Sequence, residues 1–133
     1  MNVNESILTN IKKLLGLEEE DTSFDTDVII HINDCFERLH DLGVGPKDIF
    51  TINDARETWA DFFGDQTVRP RVVSYMWKYV KRAFDPPTGG VLDSLDRQIK
   101  EAEWLLNAAV DPTDLEKEYM GLKPLWGEEI DDE

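Results

Sequence analysis

The stretch RAFDPPTGGVLD, Arg82 to Asp93, joins two segments with helical patterning, and its reading decides how the chain is arranged. Pro86-Pro87 stiffens the link and bars Asp85 and Pro86 from helical geometry, so the preceding helix must stop at about Phe84. Gly89 and Gly90 relax the steric limits on the far side and let the next helix return against the one before. A phosphate cradle is the rival reading of Thr88-Gly89-Gly90, but the lysine of a phosphate-binding loop is missing, the preceding segment is a helix, and Asp93 would repel an anion. The stretch reads as a corner, with Thr88 or Gly90 as the cap of the following helix.

Upstream of the corner, Arg69-Pro70 opens a helix carrying Val72, Val73, Met76, Trp77, Val80 and Phe84 at spacings of three and four, with Tyr75 and Tyr79 off that stripe. Downstream, Leu92, Leu95, Ile99, Ala102 and Leu106 share one face that Trp104 and Leu105 widen, and the helix ends near Asn107 to Ala109. Three more helices precede this pair. Ser6 to Leu15 places Ile7, Leu8, Ile11, Leu14 and Leu15 on one stripe and stops at Gly16. Asp25 or Thr26 caps a second helix bearing Val28, Ile32, Cys35, Phe36, Leu39 and Leu42. Asn53 caps a third, from Asp54 to about Phe63, that buries Ala55, Trp59 and Phe62 or Phe63. Asp48 to Ile52 is too short for more than an extended connection or one strand of a tiny hairpin. The expected fold is therefore all-α, a compact bundle of about four to five helices over residues 1–110, followed by an extended acidic tail over residues 111–133.

Charge narrows the function classes. The 133 residues include 29 acidic and 14 basic side chains, a formal charge of −15, and a surface of that sign does not grip nucleic acid through its phosphates. Nine of the acids against two lysines fall after Val110. The one cysteine, Cys35, forms no internal disulfide, and no segment has the length or apolarity of a membrane span, so a soluble protein without a leader is expected.

Residues with chemical potential are few. Asp27, His31 and Cys35 stand at i, i+4 and i+8 and could offer oxygen, nitrogen and sulfur to a metal, yet Cys35 falls on the apolar stripe and no further ligand is visible. Asp21, Asp25 and Asp27, or Asp61 and Asp65, could hold magnesium, but capping and helix-dipole effects account for acids at helix starts. No catalytic residues, no metal site and no cofactor are expected. Leu122, Leu125 and Trp126 sit in a segment broken by Gly121, Pro124 and Gly127, and two readings stand: a docking peptide with an aromatic anchor, or a tail folded onto its own domain.

An ordered series of motifs resembles the head-tail connector proteins of tailed bacteriophages, also called adaptor or head-completion proteins. It comprises Ile7-Leu8 to Lys12-Lys13-Leu14-Leu15-Gly16; Asp25-Thr26-Asp27-Val28 with Ile32-Asn33; Leu42-Gly43-Val44-Gly45-Pro46; Ile52 to Trp59 with Asp61-Phe62; and Phe84-Asp85-Pro86-Pro87 ahead of Leu92 and Gln98-Ile99. The resemblance spans about residues 5 to 107 and leaves the tail unmatched. It implies a non-enzymatic subunit, made in the host cytoplasm and resident at the virion neck, in a cyclic head-to-tail ring of about twelve copies. Such a ring docks to the portal protein above and to a stopper or tail-completion protein below, around a channel that DNA crosses without specific binding. Within it, Phe84, Asp85, Pro86 and Pro87 are expected at the helix corner and in subunit packing, and Leu122, Leu125 and Trp126 in portal docking. The alternative from charge alone is an acidic DNA mimic that occupies a host DNA-binding enzyme; it gives no reason for the FDPP corner.

Overall fold

The computed structural model describes residues 2–110, which form five helices and no strand: α1 (Ile7–Leu15), α2 (Asp25–Asp41), α3 (Trp59–Phe63), α4 (Pro70–Phe84) and α5 (Gly89–Val110). The all-α bundle is as the periodicity requires. Helix α4 is its centre, packing on α1, α2 and α5. The core between them holds Ile7, Ile11, Val28, Ile32, Phe36, Leu39, Val72, Met76, Val80 and Leu106.

Helix α1 begins at Ser6, whose hydroxyl accepts from the Thr9 N–H at 3.2 Å. It closes on Gly16 at φ +85°, where the Gly16 N–H donates to Lys13 O at 3.0 Å and the Leu17 N–H to Lys12 O at 2.9 Å. Only a residue tolerant of positive φ completes that turn. Its buried face differs from the expected stripe: Leu14 is 45% exposed, whereas Lys12 is 2% exposed. The Lys12 ammonium is held by Glu19 O at 3.0 Å, Asp21 O at 2.7 Å and Asp25 Oδ1 at 2.8 Å, so all three donors are used. Asp25 Oδ1 receives no other hydrogen bond; the ammonium is its partner.

That contact also explains the start of α2. The residue flanking it is Phe24, with no side-chain cap, and Asp25 lies inside the first turn rather than capping it. Asp25 and Asp27 there face the positive end of the helix dipole.

The expected third helix is the largest departure. Residues from Asp54 do not coil; the Asn53 and Asp54 N–H groups donate to the Glu57 carboxylate at 2.9 and 3.3 Å, and Ala55 is exposed. Helix α3 starts at Trp59 behind a capping box in which Thr58 Oγ1 accepts from the Asp61 N–H and Asp61 Oδ2 accepts from the Thr58 N–H. The freed segment lies beside the N-terminus, bridging Ser6 and Thr58 in antiparallel fashion. Its Ile7 N–H donates to Glu57 O at 3.0 Å. Trp59, Phe62 and Phe63 are all buried; Trp59 and Phe62 meet Phe36, Phe62 meets Phe50 and Phe63 packs on Trp59 and Phe62, in edge-on and tilted pairs. Gly45, at φ +105°, passes directly over Phe62; a Cβ there would lie 2.7 Å from the ring.

The Asp48–Ile52 stretch is a connection outside helix and strand, and it pairs with a side chain rather than a second strand. The Asn33 amide accepts from the Ile52 N–H at 2.8 Å and donates to Ile52 O at 2.9 Å, satisfying both backbone groups where Ile52 is buried.

Candidate assembly surfaces

The corner after α4 forms where the prolines demand it. Helix α4 ends at Phe84, and Asp85 leaves helical geometry at φ −149°, its N–H still donating to Lys81 O at 3.0 Å. The Asp85 carboxylate returns to Lys81 Nζ at 2.9 Å. Phe84 is half-buried against the core and meets Phe24 edge-on at 5.6 Å, which pins the end of α4 to the start of α2. Pro86 is exposed, while half-buried Pro87 lines an apolar groove of about 220 Å³ with Trp77, Val91 and Leu95. Gly89, at φ +61°, opens α5, and Arg82 Nε reaches Asp96 Oδ1 at 2.8 Å across the corner. The four residues Phe84, Asp85, Pro86 and Pro87 thus stand together at one end of the bundle. Leu122, Leu125 and Trp126 lie outside the described residues.

A polar seam fixes α2, α4 and α5 relative to one another. Tyr75, placed off the apolar stripe by periodicity, is fully buried instead, with its hydroxyl donating to Glu103 Oε2 at 2.7 Å. Arg38 holds the same carboxylate from α2, with its terminal nitrogen 3.1 Å from Oε1 and Nε 3.3 Å from Oε2. One turn along, the Tyr79 hydroxyl donates to Asp34 Oδ2 at 2.7 Å. Both phenols can sit inward because a hydroxyl at the ring tip reaches a charged acceptor at the edge of the core. The signal in the sequence was their spacing of four, which puts both on one side of α4.

Burial, then the neighbouring Cys35 and Glu103, push the Tyr75 phenol far up; burial and the Asp34 bond do the same to Tyr79. Partial burial would raise Glu103, but the hydrogen bonds from Arg38 and Tyr75 outweigh it and hold the carboxyl below its ordinary range. The hydrogen bonds among these groups form a structural interlock between α2, α4 and α5. Because the folded pKa of Glu103 is depressed, its contribution is complete above the ordinary glutamate range and is lost as pH falls through the depressed value. Glu103→Gln is therefore expected to lower the melting temperature at neutral pH and to flatten its decline below about pH 4.5. Parallel curves for the two proteins in thermal melts from pH 7 to pH 3 would refute the interlock.

Several of the residues considered for metal have other structural places. Cys35 is buried in the core, and burial pushes its thiol well above the ordinary range, while Asp27 is exposed. Asp25 serves Lys12 and Asp61 the α3 cap. Among the described residues no three His, Cys, Asp or Glu side chains gather as a ligand set, and no helix is long and apolar enough to cross a membrane.

With the bundle, its corner and its interlock in view, comparison with known proteins decides the family. The phage connector protein family matches residues 7–113. The chain belongs to the phage connector protein family. Its match begins with α1 and runs past the end of α5, so it includes every helix described. No curated protein and no solved structure matches the chain. The family is a structural one, and the connector's place is accordingly in the phage particle, in association with portal or capsid components. The resemblance read from the FDPP corner and the motifs upstream of it agrees with this membership.

Proposed function

We propose that the connector is a ring-forming adaptor that sits under the portal, extends the DNA channel and joins capsid to tail. About twelve copies related by a rotation axis would each present two different faces to their neighbours. The observation that carries the reading is the way the Phe84–Pro87 corner, the Arg82–Asp96 pair and the seam through Arg38, Tyr75, Tyr79 and Glu103 tie α2, α4 and α5 to one another. A ring closes at a defined size only if the angle between the two faces of each subunit is fixed. The charge of −15 supports the channel role, because DNA crosses a negatively charged wall without adhering.

In this reading residues 1–110 make the ring body and residues 111–133 the docking segment. Leu122, Leu125 and Trp126 supply apolar anchors for the portal, and a stopper or tail-completion protein binds below. Replacing those three residues together by alanine in the full chain is expected to lower binding to immobilised portal by about tenfold or more, as loss of an aromatic anchor does. Undiminished capture of the variant would remove the tail from the portal interface.

A further inference from the structure

Helices α2 and α4 carry opposite charge on opposite flanks of the bundle. On α2, Asp27, Ile30, Asp34, Glu37 and Asp41 recur at alternating intervals of three and four and form one outward stripe, with Ile30 57% exposed at its apolar point. On α4, Arg71, Ser74, Lys78 and Lys81 recur in the same way. Tyr79 turns toward α2, where it bonds Asp34, and Lys81, two residues on, points about 160° away from it. The basic row therefore lines the flank remote from α2. There it borders a groove of about 380 Å³ against α5, in which Glu101 is the one lining carboxylate, and the adjoining apolar groove of about 220 Å³. Val91, at the apolar end, is 65% exposed. At the other end Arg69 and Arg71 are neighbours, and burial and then Arg71 push the Arg69 guanidinium down.

We propose that these flanks are the two halves of the contact between copies, with α2 of one subunit lying antiparallel to α4 in the α4–α5 groove of the next. The spacings agree. With Ile30 seated among Trp77, Val91 and Leu95, Glu37 lies about 10 Å along α2 and Arg71 about 9 Å along α4. Asp34, which holds Tyr79 of its own subunit, then comes opposite Ser74, and on the other side of Ile30, Asp27 comes opposite Lys81. A chain carrying −15 associates with itself only where apolar surface or opposite charges meet, and this pairing supplies both. The occupant is a second copy because the acidic stripe that complements the groove is on the same molecule, too far round the bundle to reach its own groove. Each copy keeps one flank free for the next, which makes the contact head-to-tail.

The inference rests on the ring proposed above and is tested so that the two fail separately. Glu37→Arg and Arg71→Glu each place like charges across the contact and should each cut the assembled fraction about tenfold or more. An equimolar mixture of the two variants, or both changes in one chain, should restore assembly. Thermal melts confirm that each variant is folded, and light-scattering mass with negative-stain imaging reads the ring, with and without portal. Single variants that assemble like the unaltered protein, or a mixture that does not recover, would overturn the face assignment while leaving the ring intact. An unaltered protein that forms no ring under either condition would overturn both.

Discussion

Trp59→Ala is expected to destabilise the connector by about 3–5 kcal/mol, the range for emptying a large aromatic site from a packed core. The indole is fully buried and sits edge-on or tilted to Phe36, Phe62 and Phe63 at centroid distances of 6.3, 6.2 and 6.0 Å. Helix α3 is only five residues long and is held by what its side chains bury rather than by its own hydrogen bonds. Removing the indole also ends the 3.0 Å hydrogen bond from its Nε1 to Asn10 Oδ1, the side-chain tie from α3 to α1. Domains of this size are stable by about 5–15 kcal/mol, so the loss takes about a fifth of the total or more. The melting temperature should fall by roughly 10–20 °C. Trp59→Phe keeps most of the packing and loses the hydrogen bond, at a cost of about 1–2 kcal/mol. Chemical denaturation that put Trp59→Ala within 1 kcal/mol of the unaltered protein would show that the aromatic cluster does not hold α3.

Lys12→Met should cost about 2–4 kcal/mol for a different reason. The methionine fills the buried stem's volume, so little packing is lost. What remains are the Glu19 and Asp21 carbonyls and one Asp25 carboxylate oxygen without their shared donor, and stranding a buried charge is among the more expensive single changes. The upper limit for such pairs does not apply, because the Asp25 side chain is 25% exposed and water can reach part of it. Lys12→Met combined with Asp25→Asn should recover about half the loss, since the stranded charge is then gone. A double variant no more stable than Lys12→Met would place the cost in the two carbonyls instead.

These two residues also show which parts of the molecule could be read from the chain. Helices α2, α4 and α5 follow from apolar spacing, and the end of α4 follows from Pro86-Pro87, because a proline acts on its immediate neighbours. The same local logic, applied at Asn53, misplaced the start of α3. Asn53 is a good cap in isolation, but Glu57 takes its N–H, and the pairing of Ser6 with Thr58 accompanies a bent, non-helical path through the intervening residues. The pattern Thr58-Trp59-Ala60-Asp61 was the better signal, since an acid three residues after a threonine closes a capping box. The burial of Lys12 had no such signal. Its cage consists of loop carbonyls whose positions are set only once α1 and α2 pack, so a lysine with neighbours of every polarity reads as exposed. Tyr75 lies off the apolar stripe by spacing, yet its ring packs in the core as an apolar group and only its hydroxyl needs Glu103.

The candidate surfaces divide in the same way. The corner was legible because its chemistry is local. The acidic stripe on α2 and the basic row on α4 are each visible as spacings, but their placement on opposite flanks required the Tyr79–Asp34 bond that orients the helices. A charge of −15 for the whole chain concealed this asymmetry, since it averages a basic groove with an acidic flank and an acidic C-terminal segment.

The proposed ring under the portal is open to direct observation. Negative-stain imaging with mass measurement of the purified protein, alone and mixed with portal, tests it most directly. The account predicts a ring of about twelve copies with an open centre, coaxial with the portal in the mixture. A particle that stays monomeric in both samples, or one captured by a DNA-binding enzyme and not by portal, would contradict it.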